Sequence, residues 1–98
     1  MTKVEFHPEA DNELAEAKRW YRKRSQLAAR AFATAVTNAI QDISLAPNRW
    51  PETRPGERRL VLSKFPFSIL YRVREDGVFI TAVAHQKRRP GYWRNRVI

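Results

Sequence analysis

Apolar residues recur along this chain at two different spacings, and the switch between them outlines the fold. Thr2–Phe6 alternates, with Val4 and Phe6 on one side, and predicts a short strand. His7, Pro8 and Glu9 then open a helix, because proline is favoured at a first helical position where its missing N–H had no partner. Ala10, Leu14, Ala17 and Tyr21 form its buried stripe. A second helix starts at Ser25 or Gln26 and runs to about Ala46. Ala28, Phe32, Ala35, Ala39 and Ile43 recur at helical spacing along it, flanked by Val36 and Ile40. Pro47 ends it. The many alanines permit close approach, so the two helices are expected to form an antiparallel hairpin.

Beyond Pro47 the helical period is lost. Residues 47–57 carry three prolines and a glycine and are expected to form a loop, pinned to the core by Trp50. Three strands follow. Arg58–Ser63 is the first. Pro66–Arg74 is the second, with Phe67, Ile69, Tyr71 and Val73 on one face and Ser68, Leu70, Arg72 and Arg74 on the other. Glu75, Asp76 and Gly77 make a hairpin turn. Val78–Ala84 is the third; it is apolar on both faces and so expected to be central, with Phe79, Thr81, Val83 and His85 sharing one face. The order β-α-α-β-β-β predicts an α+β fold of two layers, a helical hairpin packed on one face of a small, mainly antiparallel sheet. Ninety-eight residues fit one domain, 1–98, and neither a repeat nor a low-complexity tract interrupts it.

Charge changes this picture more than composition does. The net charge is +9, carried by 19 basic and 10 acidic residues. Residues 1–46 are nearly balanced, with 7 basic and 6 acidic side chains, whereas residues 47–98 hold 12 basic and 4 acidic ones. That asymmetry points to a polyanion or an acidic protein as partner for the second half. In the first helix the acids come early and the bases late, which complements the helix dipole; there the acids are read as capping and solubilising groups. There is no cysteine, which excludes disulfides and thiolate metal sites and suits the cytoplasm. No apolar run reaches the length of a membrane span, and the N-terminus lacks a signal-peptide core.

Candidate chemistry is confined to the C-terminal segment. The three glycines make no phosphate loop, the two histidines lack ligand spacing, and no nucleophile elbow occurs, so neither a metal nor a cofactor is expected. By contrast, His85, Lys87, Arg88, Arg89, Tyr92, Trp93, Arg94 and Arg96 fall within twelve residues. Guanidinium groups hold phosphates in a bidentate fashion, and aromatic rings offer stacking surfaces to unpaired bases. His85 adds a group that titrates near neutrality. Such parts suffice for metal-free RNA cleavage, in which the 2′-hydroxyl is the nucleophile and the protein moves protons and stabilises charge. They serve equally as a surface that binds without cutting.

The order and spacing of several motifs resemble the RelE/ParE toxin superfamily. They are Phe6-His7-Pro8-Glu9-Ala10, Trp20-Tyr21, Phe32, Ile43 with Pro47, Arg59 through Phe65–Tyr71, and Val83-Ala84-His85 through Arg88, Pro90, Tyr92-Trp93 and Arg96. The resemblance spans essentially the whole chain. It implies the same fold, the toxin role in a bacterial type II toxin–antitoxin operon, and a cognate antitoxin whose acidic arm wraps the toxin. Operator DNA would be reached only through that antitoxin. The activity expected from the resemblance is metal-free cleavage of mRNA on the ribosome, with inhibition of DNA gyrase without catalysis as the alternative. A third alternative is an inactive homologue retained as an antitoxin-binding, regulatory module. For RNA cleavage the candidates are His85, Lys87, Arg88 and Tyr92. Arg59, Lys64, Arg72, Arg89, Trp93, Arg94 and Arg96 are the expected binding residues. Arg59 matches a basic position of the RelE-like pattern, whereas Val61 and Ser68 stand where that pattern is basic. Lys64, Arg72 and Arg74 are the cations that could stand in.

Overall fold

The computed structural model describes residues 2–96; the expected limits 1 and 98 lie outside them. The elements are β1 (Lys3–Phe6), α1 (Pro8–Arg24), α2 (Gln26–Leu45), β2 (Glu52–Arg54), β3 (Glu57–Val61), β4 (Phe67–Arg74) and β5 (Gly77–His85). Five strands form one sheet in the order β1-β5-β4-β3-β2. β1 runs parallel to β5, and every other pairing is antiparallel. β5 is thus flanked on both sides, as its apolar faces require. The hairpin of α1 and α2 covers one face, giving the α+β sandwich of two layers.

Side-chain caps set the helix boundaries. The Nδ1 of His7 accepts from the backbone N–H of Glu9 at 3.0 Å, directly before Pro8. Ser25 serves both helices. Its extended backbone ends α1, and its hydroxyl accepts from the N–H of Ala28 at 3.1 Å to start α2. A single residue therefore turns the chain back on itself. On α2 the buried stripe is Ala29, Phe32, Val36, Ala39 and Ile43. It is rotated slightly from the expected one, because the bulkier Val36 goes inward and leaves Ala28 and Ala35 half-buried.

Two features depart from expectation. The loop over residues 47–57 contains β2, three residues paired with β3 across a turn at Gly56, where φ is +82°. And Phe79 does not share a face with Val83 and His85. The register passes from Leu70↔Ala82 to Tyr71↔Ile80, so Thr81 is an extra residue that reverses the alternation of β5. Val78 and Ile80 consequently join the core under the helices, with Phe32, Ile43, Ile69 and Tyr71. Ala82 and Ala84 instead face the opposite side with Leu70, where they form a second, smaller core.

The sheet tolerates no side chain at Gly77. A Cβ there would lie 1.9 Å from the carbonyl oxygen of Lys3, a backbone atom of the neighbouring β1. Gly77→Ala must push β1 away from β5. We expect a loss of roughly 1–3 kcal/mol, the usual cost of overpacking, read as a lower urea midpoint at unchanged m-value.

Candidate functional site: the C-terminal strap and its cleft

After β5 the chain continues as a series of turns. The N–H of Arg88 donates to the carbonyl of His85, that of Tyr92 to Arg89, that of Arg94 to Gly91 and that of Arg96 to Trp93. Gly91 has φ +80°, a conformation that favours glycine, and a Cβ there would meet the Arg94 guanidinium. The turns fold residues 86–96 back over the second face of the sheet as a strap.

Two carboxylates hold the strap down. Glu57, 1% exposed at the start of β3, accepts from the indole Nε1 of Trp93 at 2.9 Å and from the Thr53 hydroxyl at 2.8 Å. Trp93 is 8% exposed and packs on Leu70, Ala82 and Ala84. Glu13, on α1, receives both guanidinium arms of Arg96 at 2.9 Å, the phenol of Tyr92 at 2.6 Å and the backbone N–H of Val83 at 3.0 Å. Arg96 also donates to the carbonyl of Thr81, the bulge residue of β5. Burial, and then the hydrogen bond and charge of Glu13, hold the Tyr92 proton well above the ordinary phenol range. The hydrogen bonds that Arg96 itself donates to Glu13 raise the guanidinium in turn.

Between α1 and the end of the sheet lies a cleft of about 300 Å³. Ala17, Tyr21, Phe67 and Val83 are among its apolar walls, and His85, Arg88, Tyr92, Glu16 and Trp20 bring polar and aromatic groups to it. The His85 ring packs edge-on against Phe67, with centroids 5.0 Å apart. Its Nδ1 accepts from the N–H of Lys87 at 3.0 Å, which assigns the proton of the neutral ring to Nε2. Arg88 lies over the Tyr92 ring, 4.0 Å from its centroid.

The expected site residues are therefore only partly brought together. His85, Arg88 and Tyr92 converge on the cleft, and Lys87, Arg89 and Arg94 are exposed on the strap. Trp93 is not available for stacking, because its ring is buried and its N–H is taken. Arg96 is not free to hold a phosphate, because Glu13 neutralises it in a pair whose side chains are each 14% exposed. Arg72 leans towards the β2–β3 turn, with Nη1 3.4 Å from the carbonyl of Gly56. Arg59 is exposed and pairs with Leu70, which puts it on the strap side of the sheet, while Lys64 lies beside α2 between β3 and β4. Val61 is 60% exposed opposite Ser68, so an apolar and a neutral group occupy that part of the surface.

Glu13 and Glu57, the two anchors of the strap, are not among the residues expected at the site. Reading the acids of α1 as capping and solubilising groups fails for Glu13, which anchors the strap. It follows Ala10 by three residues and precedes Ala17 by four, and that spacing put it on the buried stripe. Glu57 carried no such signal.

A helical hairpin on one face of a five-stranded, mostly antiparallel sheet is the fold expected of the RelE/ParE superfamily. Residues 4–90 match the family model described as the ParE toxin of type II toxin–antitoxin system, parDE. The chain belongs to that family. No curated protein matches it. Among solved structures it is similar to a chain of the chromosomal ParDE toxin–antitoxin system from P. aeruginosa, with a TM-score of 0.73 and 21% identity over 87% of this chain and 96% of that one. At that identity the likeness speaks for the fold. The family match ends at residue 90, before Tyr92, Trp93 and Arg96. Among the described residues no helix is long and apolar enough to cross a membrane.

Proposed function

We propose that this toxin arrests growth by binding and not by cutting, as an inhibitor of DNA gyrase in the cytoplasm. One observation carries the reading: the atoms that would move protons are already engaged. The Tyr92 hydroxyl donates to Glu13, which makes it a poor acid. The acceptor nitrogen of His85 is occupied by the N–H of Lys87, so the neutral ring lacks a free lone pair with which to act as a base. Val61 and Ser68, at positions that are basic in the RelE-like pattern, support it further. On this reading Lys87, Arg88, Arg89 and Arg94 are contact residues. The cognate antitoxin implied by the family would bring an acidic arm to the basic half.

The test is a supercoiling assay with purified toxin beside translating ribosomes carrying a labelled mRNA. Inhibited supercoiling with intact mRNA is the expected result. Normal supercoiling at high toxin concentration overturns the proposal. Cleaved mRNA would favour a second reading, a metal-free ribosome-associated mRNA endonuclease. That reading draws on the convergence of His85, Arg88 and Tyr92 at one cleft.

A further inference from the structure

Eight of the 19 basic residues of this protein lie at one end of the molecule. Tyr21 meets Phe65 at 5.4 Å between ring centroids, and the cleft is lined by Trp20, Pro66 and His85 together. The α1–α2 turn, the β3–β4 turn and the exit from β5 are thus neighbours. Arg22, Lys23 and Arg24 end α1, Arg30 opens α2, Lys64 lies in the β3–β4 turn, and Lys87–Arg89 follow β5; all are exposed. Between Glu16 and Asp42 the sequence has six basic residues and no acidic one, and no acid follows Asp76. Glu13 and Glu16 line the cleft, Glu13 being already paired with Arg96, and Asp42 lines the groove beside α2 with Arg30 and Lys64, so three carboxylates stand against these eight cations and one of the three is spent. Glu75 and Asp76 sit at the far end of the sheet, a strand length of ~30 Å away.

The helix dipole accounts for Arg22, Lys23 and Arg24 at the C-terminus of α1, but not for Arg30, which lies near the positive end of α2. Among the described residues the ion pairs are Lys3–Glu5 and Arg96–Glu13, and neither involves a cation of this end. Several unpaired like charges held close together repel one another, so their concentration calls for an anionic partner. Trp20 narrows the choice of partner. It is 52% exposed, yet the Arg24 guanidinium caps one face at 3.7 Å and Tyr21 meets it edge-on. The ring is poorly placed to stack on unpaired bases, which single-stranded nucleic acid would use. Arg22 and Lys23 line neither the cleft nor the groove beside α2, where a peptide arm would be held.

We propose that this basic end, with the tip of the helical hairpin at its centre, docks on the phosphate backbone of duplex DNA without reading sequence. The choice of DNA over duplex RNA rests on the gyrase reading, since gyrase works on duplex DNA. It adds direct contact with DNA to the contact expected through an antitoxin.

The experiment is fluorescence anisotropy of a labelled 20-base-pair random duplex with the purified full chain, and no gyrase present, from 50 to 200 mM salt. About five phosphate contacts predict a slope of log K against log salt near −4.5 and a loss of roughly 500-fold across that range. The triple variant R22Q/K23Q/R30Q should reduce the slope by about 2.7. R49Q/R74Q, away from this end, should leave it unchanged. A thermal melt by circular dichroism establishes that each variant is folded. An unchanged slope in the folded triple variant overturns the proposal. So does a duplex left unbound at 50 mM salt, or tighter binding of single-stranded RNA, duplex RNA or polyglutamate. Because gyrase is absent, failure here leaves the supercoiling result standing, and the converse also holds.

Discussion

Replacing Glu13 by alanine is expected to cost about 3–5 kcal/mol, the usual penalty for removing one partner of a buried ion pair. The change strands Arg96, whose side chain is 14% exposed, and deprives Tyr92 and the N–H of Val83 of their acceptor. A chain of this size has about 5–15 kcal/mol of stability in all. A loss of 3 kcal/mol would lower Tm by roughly 12–24 °C. Urea denaturation of Glu13→Ala measures it directly, and a cost below about 1 kcal/mol would show that the strap is not anchored there. Adding Arg96→Met to Glu13→Met removes both charges, and should recover part of the loss because no uncompensated charge is left buried.

The same cluster sets an alkaline limit. Tyr92 has a folded-state pKa raised above its ordinary value of 10.0, by burial first and by Glu13 second. The folded state therefore keeps a proton that the unfolded chain releases. The resulting stabilisation is complete below pH 10 and is lost as pH rises above it. Removing Glu13 takes away two of the causes, so the alkaline fall in Glu13→Ala begins from a smaller shift.

Element order was legible in the sequence because each element carries its own period. Pro8 and Ser25 mark helix starts by chemistry that needs no tertiary information. The convergence of His85 and Arg88 near the end of a buried strand could also be read, since it follows from chain order. What could not be read depends on a third dimension. β2 is three residues between prolines, with no periodicity to detect, and exists only because β3 offers it an edge. The bulge at Thr81 was invisible because β5 is apolar on both faces, so a reversal of the alternation leaves no trace in its pattern. The basic strap looked uniformly available, yet three of its members are spent internally. Trp93, Tyr92 and Arg96 find carboxylates that lie 36, 79 and 83 residues away in the chain. That distinction matters for target binding, since it leaves Lys87, Arg88, Arg89 and Arg94 as the charges the strap presents outward.

Trp93→Ala should be as damaging as the loss of Glu13, by a different route. The indole is the large side chain of the second core, whose other buried members are Leu70, Ala82 and Ala84. Three of those four positions are filled by small or medium side chains that cannot close a tryptophan-sized void. A cost of about 3–5 kcal/mol follows for the cavity and the lost burial. Part of it comes from Glu57, which is 1% exposed in the native protein and loses the donor to one of its oxygens. Trp93→Phe separates the two, because it keeps most of the apolar contact and removes only the N–H, and should cost about 1–3 kcal/mol. Equal losses in the two variants would mean that the hydrogen bond to Glu57, and not packing, holds the strap. A negligible loss in Trp93→Ala would mean that the sheet does not need the strap. If the larger loss is found for alanine, toxicity of that variant should fail through unfolding. Trp93→Phe, still folded, should then inhibit its target at the wild-type level, since the outward-facing charges of the strap are untouched.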